Sequence, residues 1–256
     1  WRVDLDSGVR EEIGPGPDTI SPMRYSMGCI STDERYYFGY GRREIDGWGA
    51  VIRYATDGSE TSVIAADPDL CHIHASAGGH GISYGTEKGQ WGLNYDGSNN
   101  RLLPISDLSH FTWIGETQTY IGCGMMPDRK IHMREEGQRE TTTLVEGSFF
   151  WHTGRSNSPD WTVADTNWPN EGIMLINIAT KQFAKLCESG HSGGHPQWTH
   201  AHPSLSPNGK MVIYSSDVSG IAQVYIARIP DDLFARLSLR QPDANPGGRL
   251  PDANYA

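Results

Sequence analysis

A short unit recurs along this chain and limits its folding choices more than any other feature: a polar turn followed at once by an apolar run. It is clearest at Ser206-Pro207-Asn208-Gly209-Lys210-Met211-Val212-Ile213-Tyr214. Related copies stand at Ser31-Thr32-Asp33-Glu34-Arg35-Tyr36-Tyr37-Phe38, at Gly78 to Tyr84, at Ile114 to Ile121 and at Ser158 to Ala164. Each is followed by a second strand and another turn, such as Val51-Ile52-Arg53-Tyr54 before Asp57-Gly58. Asp-Gly and Asn-Gly between apolar runs are hairpin signals, because the left-handed backbone of a tight turn suits glycine. Helical periodicity is nearly absent, so the fold class is all-β.

The copies recur at roughly 40 residues, the size of a four-stranded propeller blade. This spacing predicts a β-propeller over 1–234, with blades at about 22–70, 71–107, 108–147, 148–195 and 196–230. Trp1 to Leu5 reads as the third strand of a sixth blade, and further N-terminal blades are expected. The Pro-, Gly- and Asp-rich stretch after Phe234 predicts an irregular arm over 235–256.

The formal charge of −10 and the lack of a long basic run argue against a nucleic-acid partner. An acidic substrate is still compatible, since a local cation can reverse the field within a pocket. No run approaches the roughly 18 apolar residues of a membrane helix, so no membrane association is expected. The chain begins at Trp1 without a signal-peptide pattern, and a cytoplasmic location is expected. Cys29, Cys71, Cys123 and Cys187 show no CxxC pairing and read as buried free thiols.

The chemistry concentrates in Gln197-Trp198-Thr199-His200-Ala201-His202-Pro203. Residues two apart on an extended segment face the same side, so His200 and His202 point together. Gln197 can add a carbonyl oxygen. Two imidazoles and an amide oxygen, with no thiolate, suit a borderline divalent cation rather than a closed structural zinc site. The repeat alignment places His74, His110, His152 and His202 at one position before successive turns, with Met27 there in the first blade. A small insertion is needed to align His152.

On these residues the chain resembles the oligogalacturonate lyase family, seven-bladed propellers that cleave short pectin fragments by β-elimination. The resemblance is strongest from Gln197 to Pro230 and weaker back to about residue 71. It implies a divalent metal, manganese, held by Gln197, His200, His202 and a histidine of the preceding blade, which is His152, or Thr153 if the insertion is placed differently. It implies a base at His110, within His110-Phe111-Thr112-Trp113. Where the family uses an arginine one blade earlier, this chain has Glu87-Lys88-Gly89-Gln90-Trp91, leaving Lys88 as the candidate. Lys88 or Arg155 would meet a second carboxylate of an acidic oligosaccharide, His74 and His80 would be subsite residues, and Trp113 could stack on a sugar.

Two other readings share the fold: a non-catalytic propeller binding protein, and a lyase for a different uronate polymer. A serine-peptidase cap is disfavoured, since the residues after Phe234 are too few to form a hydrolase domain. Asp165 to Glu171 reads as a loop with a turn role only.

Overall fold

The repeated turn works through one hydrogen-bond pattern. In the computed structural model, Ser206 Oγ donates to Asn208 Oδ1 at 2.8 Å and accepts the Met211 N–H at 3.0 Å. Ser31 does the same with Asp33 at 2.6 Å and the Tyr36 N–H at 3.0 Å. A hydroxyl that both gives and takes closes the turn and starts the next strand. Gly209, Gly58 and Gly97 carry positive φ in such turns, as the hairpins require.

The structure describes residues 2–4, 7–11, 20–22, 28–31, 33–75, 81–105, 108–115, 117–124, 127–135, 137–154, 156–194, 199–239 and 248–251. They form two compact units, divided after Ser106.

In the first unit, β1 (Arg2–Val3) pairs with β2 (Arg10–Glu11) as a separate ribbon. A second sheet holds β3 (Ile20–Pro22), β4 (Cys29–Ile30), β5 (Tyr36–Arg43), β6 (Gly49–Ala55) and β7 (Thr61–Asp67), with β3 and β4 both pairing β5. A third is the meander β8 (Cys71–Ala75), β9 (Ile82–Thr86), β10 (Gly89–Leu93) and β11 (Arg101–Leu102). The two larger sheets share a core that includes Phe38, Val51, Ile73, Ile82 and Leu93.

The second unit repeats the meander: β12 (Leu108–Trp113), β13 (Thr119–Gly124), β14 (Ile131–Glu135) and β15 (Thr142–Val145), then β16 (Phe150–Gly154), β17 (Trp161–Thr166), β18 (Ile173–Asn177) and β19 (Gln182–Cys187). A three-stranded sheet follows, β20 (Ser204–Leu205), β21 (Met211–Ser216) and β22 (Gln223–Arg228). Ile121, Leu144, Phe150, Met174 and Phe183 join the first two of these sheets, and burying each such side chain contributes about 1.5–3 kcal/mol. All pairings within the sheets are antiparallel, and the blades fall where the repeat places them. The chain is an all-β propeller fold.

The end of the chain differs from expectation. Helix α1 (Asp231–Ser238) runs four residues into the stretch read as an irregular arm and buries Leu233 and Leu237 against the last two sheets. Arg249 then bridges to Phe183, and Leu250, 5% exposed, joins the same core. Composition hid this because a few apolar residues at helical spacing suffice to dock one turn of helix after another. The four cysteines are free, with Cys123 buried and the other three half-buried.

Candidate metal centre

An irregularity in the inner strands builds the site. In β8, β12 and β16 the ladder to the next strand skips two residues: His72 and Ile73, His110 and Phe111, Trp151 and His152. Such β-bulges leave backbone groups unpaired and re-aim side chains. His110 adopts φ +46° and His72 φ +48°, left-handed values that a histidine holds only where the surroundings impose them. The register corrects the expected histidine column. His110 corresponds to His72 and Trp151, His152 to Phe111, and His74 to Thr112 and Thr153.

Asp165, near the end of β17, resolves the bulge at β16. Its Oδ1 accepts the orphaned His152 N–H at 2.7 Å, and its Oδ2 accepts the ring Nδ1–H at 2.8 Å. Oδ2 also takes the His202 N–H at 3.2 Å. Asp165 is 1% exposed. Burial alone would raise its pKa, but the His152 ring and these hydrogen bonds outweigh it and hold the carboxyl down to about 2. This residue, expected only to shape a turn, is the anchor of the site. An aspartate inside a strand carries no local sequence signal for such a role.

His152, His200 and His202 come together, with one nitrogen of each within 4.8 Å of the others. Each ring has its other nitrogen committed to an oxygen. His152 Nδ1 holds Asp165, His200 Nε2 donates to the Gly194 carbonyl at 3.1 Å, and His202 Nδ1 donates to the His200 carbonyl at 3.3 Å. These bonds select tautomers whose remaining nitrogens carry lone pairs, as for metal-ligating histidines supported from behind. His200 Nδ1 is buried without a partner among the described residues. Gly193, at φ +62°, lets the loop bearing Gly194 approach, since a Cβ there would lie 2.5 Å from Asn167 Oδ1.

Burial and the His152 ring lower His202 to about 4, although its outer edge faces solvent, and the same causes lower His200. Both rings are therefore neutral at pH 7. Three imidazoles with converging ring nitrogens fit a divalent ion.

His110 lies against this cluster, its ring centroid 4.4 Å from that of His152. Its Nδ1 donates to the Trp151 carbonyl at 2.7 Å, which leaves Nε2 as the basic nitrogen. Thr153, the alternative ligand, is otherwise engaged: its Oγ1 donates to the His110 carbonyl at 2.7 Å.

Other expected site residues fare differently. Gln197, His80 and Arg155 lie outside the described residues, as does Trp198. His74, in β8 of the first unit, has Nε2 shielded from solvent and a pKa held down to about 3 by burial. Lys88 is exposed in the turn between β9 and β10. Trp113 does not offer a stacking face. It is 4% exposed and packs on Tyr120 at 4.1 Å, because the end of β12 beyond the bulge turns it into the sheet. The aromatic at the site is instead Trp168, 53% exposed, with its ring 6.3 Å from His200 and 5.0 Å from Trp151. It belongs to the segment expected to act only as a turn.

No protein-family model matches the chain. A curated oligogalacturonate lyase from Dickeya dadantii (strain 3937) is 42% identical over 171 residues, covering 56% of this chain and 44% of that protein. The chain thus spans less than half the length of this curated relative. Two solved structures share the fold: an oligogalacturonate lyase from Vibrio parahaemolyticus (TM-score 0.68, 21% identity, 90% of this chain and 72% of that one) and an oligogalacturonate lyase in complex with manganese (TM-score 0.69, 18% identity, 91% and 72%). The chain is therefore homologous in sequence to a curated oligogalacturonate lyase and has the propeller fold of the solved ones.

Proposed function

We propose that this protein is a metal-dependent lyase that cleaves short oligogalacturonates by β-elimination. The observation that carries the reading is the placement of His110 beside the three converging imidazoles. The manganese complex of a structural relative favours manganese as the ion.

What an ion held by His152, His200 and His202 supplies is Lewis acidity toward a uronate carboxylate, which makes the adjacent C–H more acidic. His110 Nε2 then takes that proton. Its Nδ1–H stays on the Trp151 carbonyl, so the resulting imidazolium keeps its orientation and its new charge is partly offset by that oxygen. The electron pair left behind forms the carbon–carbon double bond as the glycosidic C–O bond breaks, and water protonates the departing oxygen. Trp168 and Trp151 wall the space where the sugar would sit.

Incubation with oligogalacturonate and Mn²⁺ should yield the ultraviolet-absorbing unsaturated uronate. His110→Ala should abolish it while leaving metal binding intact, a loss of about 10²–10⁴-fold for a missing general base. Absence of that product with every uronate oligosaccharide would overturn the reading.

A further inference from the structure

Within the second unit lies an open cavity of about 810 Å³. Its charged wall residues are Asp128, Arg129, Lys130, Glu146 and Arg249. Four of them already have partners: Lys130 with Glu146 at 2.9 Å, Arg249 with Glu171 at 3.1 Å, and Asp128 with His132 at 2.9 Å. Arg129 alone among them faces no carboxylate among the described residues.

Its guanidinium is nevertheless fixed. Nη1 donates to the carbonyls of Asn167 and Trp168, and the Cζ lies 5.5 Å from the Phe149 ring centroid and 5.8 Å from that of Trp151. Carbonyls and ring faces orient a cation without neutralising it. Nε and Nη2 are left with no acceptor in the described structure. A guanidinium held in this way, with two donors to spare, matches the bidentate geometry of a carboxylate and has lost its side-chain freedom in advance.

The position of Arg129 gives the carboxylate a context. Trp151 separates it from His110 by one indole, since the same ring lies 5.2 Å from the His110 ring. Trp168, whose carbonyl Arg129 holds, presents an exposed ring to both Trp151 and His200. Trp151 and Trp168 therefore link the guanidinium to the rings of His110 and His200.

We propose that Arg129 binds the carboxylate of a second uronate, next along the chain from the one at the metal centre, and so sets a preference for acidic oligosaccharides over single uronic acids. This rests on the lyase reading for the identity of the sugar. It gives to Arg129 the role that the sequence suggests for Lys88 or Arg155.

The test is calorimetric binding of trigalacturonate, its methyl ester and D-galacturonate to the Mn²⁺-loaded protein, with Arg129→Gln and Arg129→Lys. Arg129→Gln should weaken trigalacturonate binding tenfold or more and leave D-galacturonate and Mn²⁺ binding unchanged. Arg129→Lys should recover only part, as a point charge lacks the fork. The methyl ester should bind wild type and Arg129→Gln alike. Unchanged trigalacturonate binding in Arg129→Gln overturns this proposal while leaving the lyase reading standing. Equal loss for D-galacturonate also overturns it, since Arg129 would then serve the first sugar. If wild type binds none of the uronates, both readings fall together. The Mn²⁺ isotherm and the thermal midpoint of each variant show that the fold is kept.

Discussion

Asp165 holds His152 at two points, taking the backbone N–H on one carboxylate oxygen at 2.7 Å and the ring N–H on the other at 2.8 Å. The first bond repairs the ladder at the bulge and the second sets the tautomer, so strand geometry and ligand chemistry share one buried side chain.

Asp165→Asn tests that sharing. An amide can keep the backbone bond through its oxygen, but its N–H₂ then faces Nδ1 and drives the imidazole proton to the nitrogen meant for the ion. Metal affinity should drop about 10–100-fold with the fold retained. Asp165→Ala should in addition lower stability by about 3–5 kcal/mol, since it strips a buried partner from two N–H groups and a ring. Metal titration and urea unfolding separate the two effects, and unchanged Mn²⁺ affinity in Asp165→Asn would show that the carboxylate does not set the tautomer.

A bound ion should also stabilise the fold, because the residues that would hold it come from a strand and from a separate loop segment of the second unit. His152 lies in β16, while His200 and His202 precede β20. At a hundred times the dissociation constant the gain is about 2.7 kcal/mol. Mn²⁺ should therefore raise the melting midpoint of the wild type and leave His200→Ala unmoved. An equal rise in both proteins would mean the ion binds elsewhere.

The sequence displays its turns and strand spacing openly, because Ser-x-Asx and Asx-Gly chemistry is local. It displays His200 and His202 for the same reason, since period-two spacing alone aligns them. The bulges are not visible, because whether a strand takes up an extra residue depends on its partner. That is why His110 reads as the counterpart of His74 when the register pairs it with His72. Asp165 and Trp168 escape because their roles depend on the neighbouring β16 and on His200, contacts that no local pattern encodes. Helix α1 and Leu250 escape because their value lies in the core they cover, not in their own composition.

Stability of the metal-free protein should fall as the medium turns acid. His202 is lowered to about 4 and His74 to about 3, both chiefly by burial, against an unfolded value near 6.5. Between those values the unfolded chain binds more protons, so stability is full above pH 6.5 and declines toward pH 3–4. His74 contributes a slope of up to about 1.4 kcal/mol per pH unit, and His202, whose outer edge faces solvent, contributes less. Asp165, held to about 2, adds a loss in the same direction below its unfolded value. Urea midpoints should be lower at pH 5 than at pH 7.5, and a flat or rising trend would contradict this picture.

Gly154 offers a test of the site without touching a ligand. It ends β16, two residues after His152, and a Cβ there would come within 2.3 Å of the Pro203 carbonyl oxygen and 2.5 Å of Val163 Cγ2. Pro203 adjoins His202, whose N–H is tied to Asp165. Backbone cannot yield as a flexible side chain does, so Gly154→Ala must separate the His202 segment from β16. Overpacking of this kind typically costs about 1–3 kcal/mol. Because the displacement falls between His152 and His202, Mn²⁺ affinity should weaken more than in Gly147→Ala, a control that strains its own φ +98° backbone but whose Cβ would meet nothing within 4 Å. If both variants bind the ion as wild type does, the three imidazoles do not depend on this close approach of strand and loop.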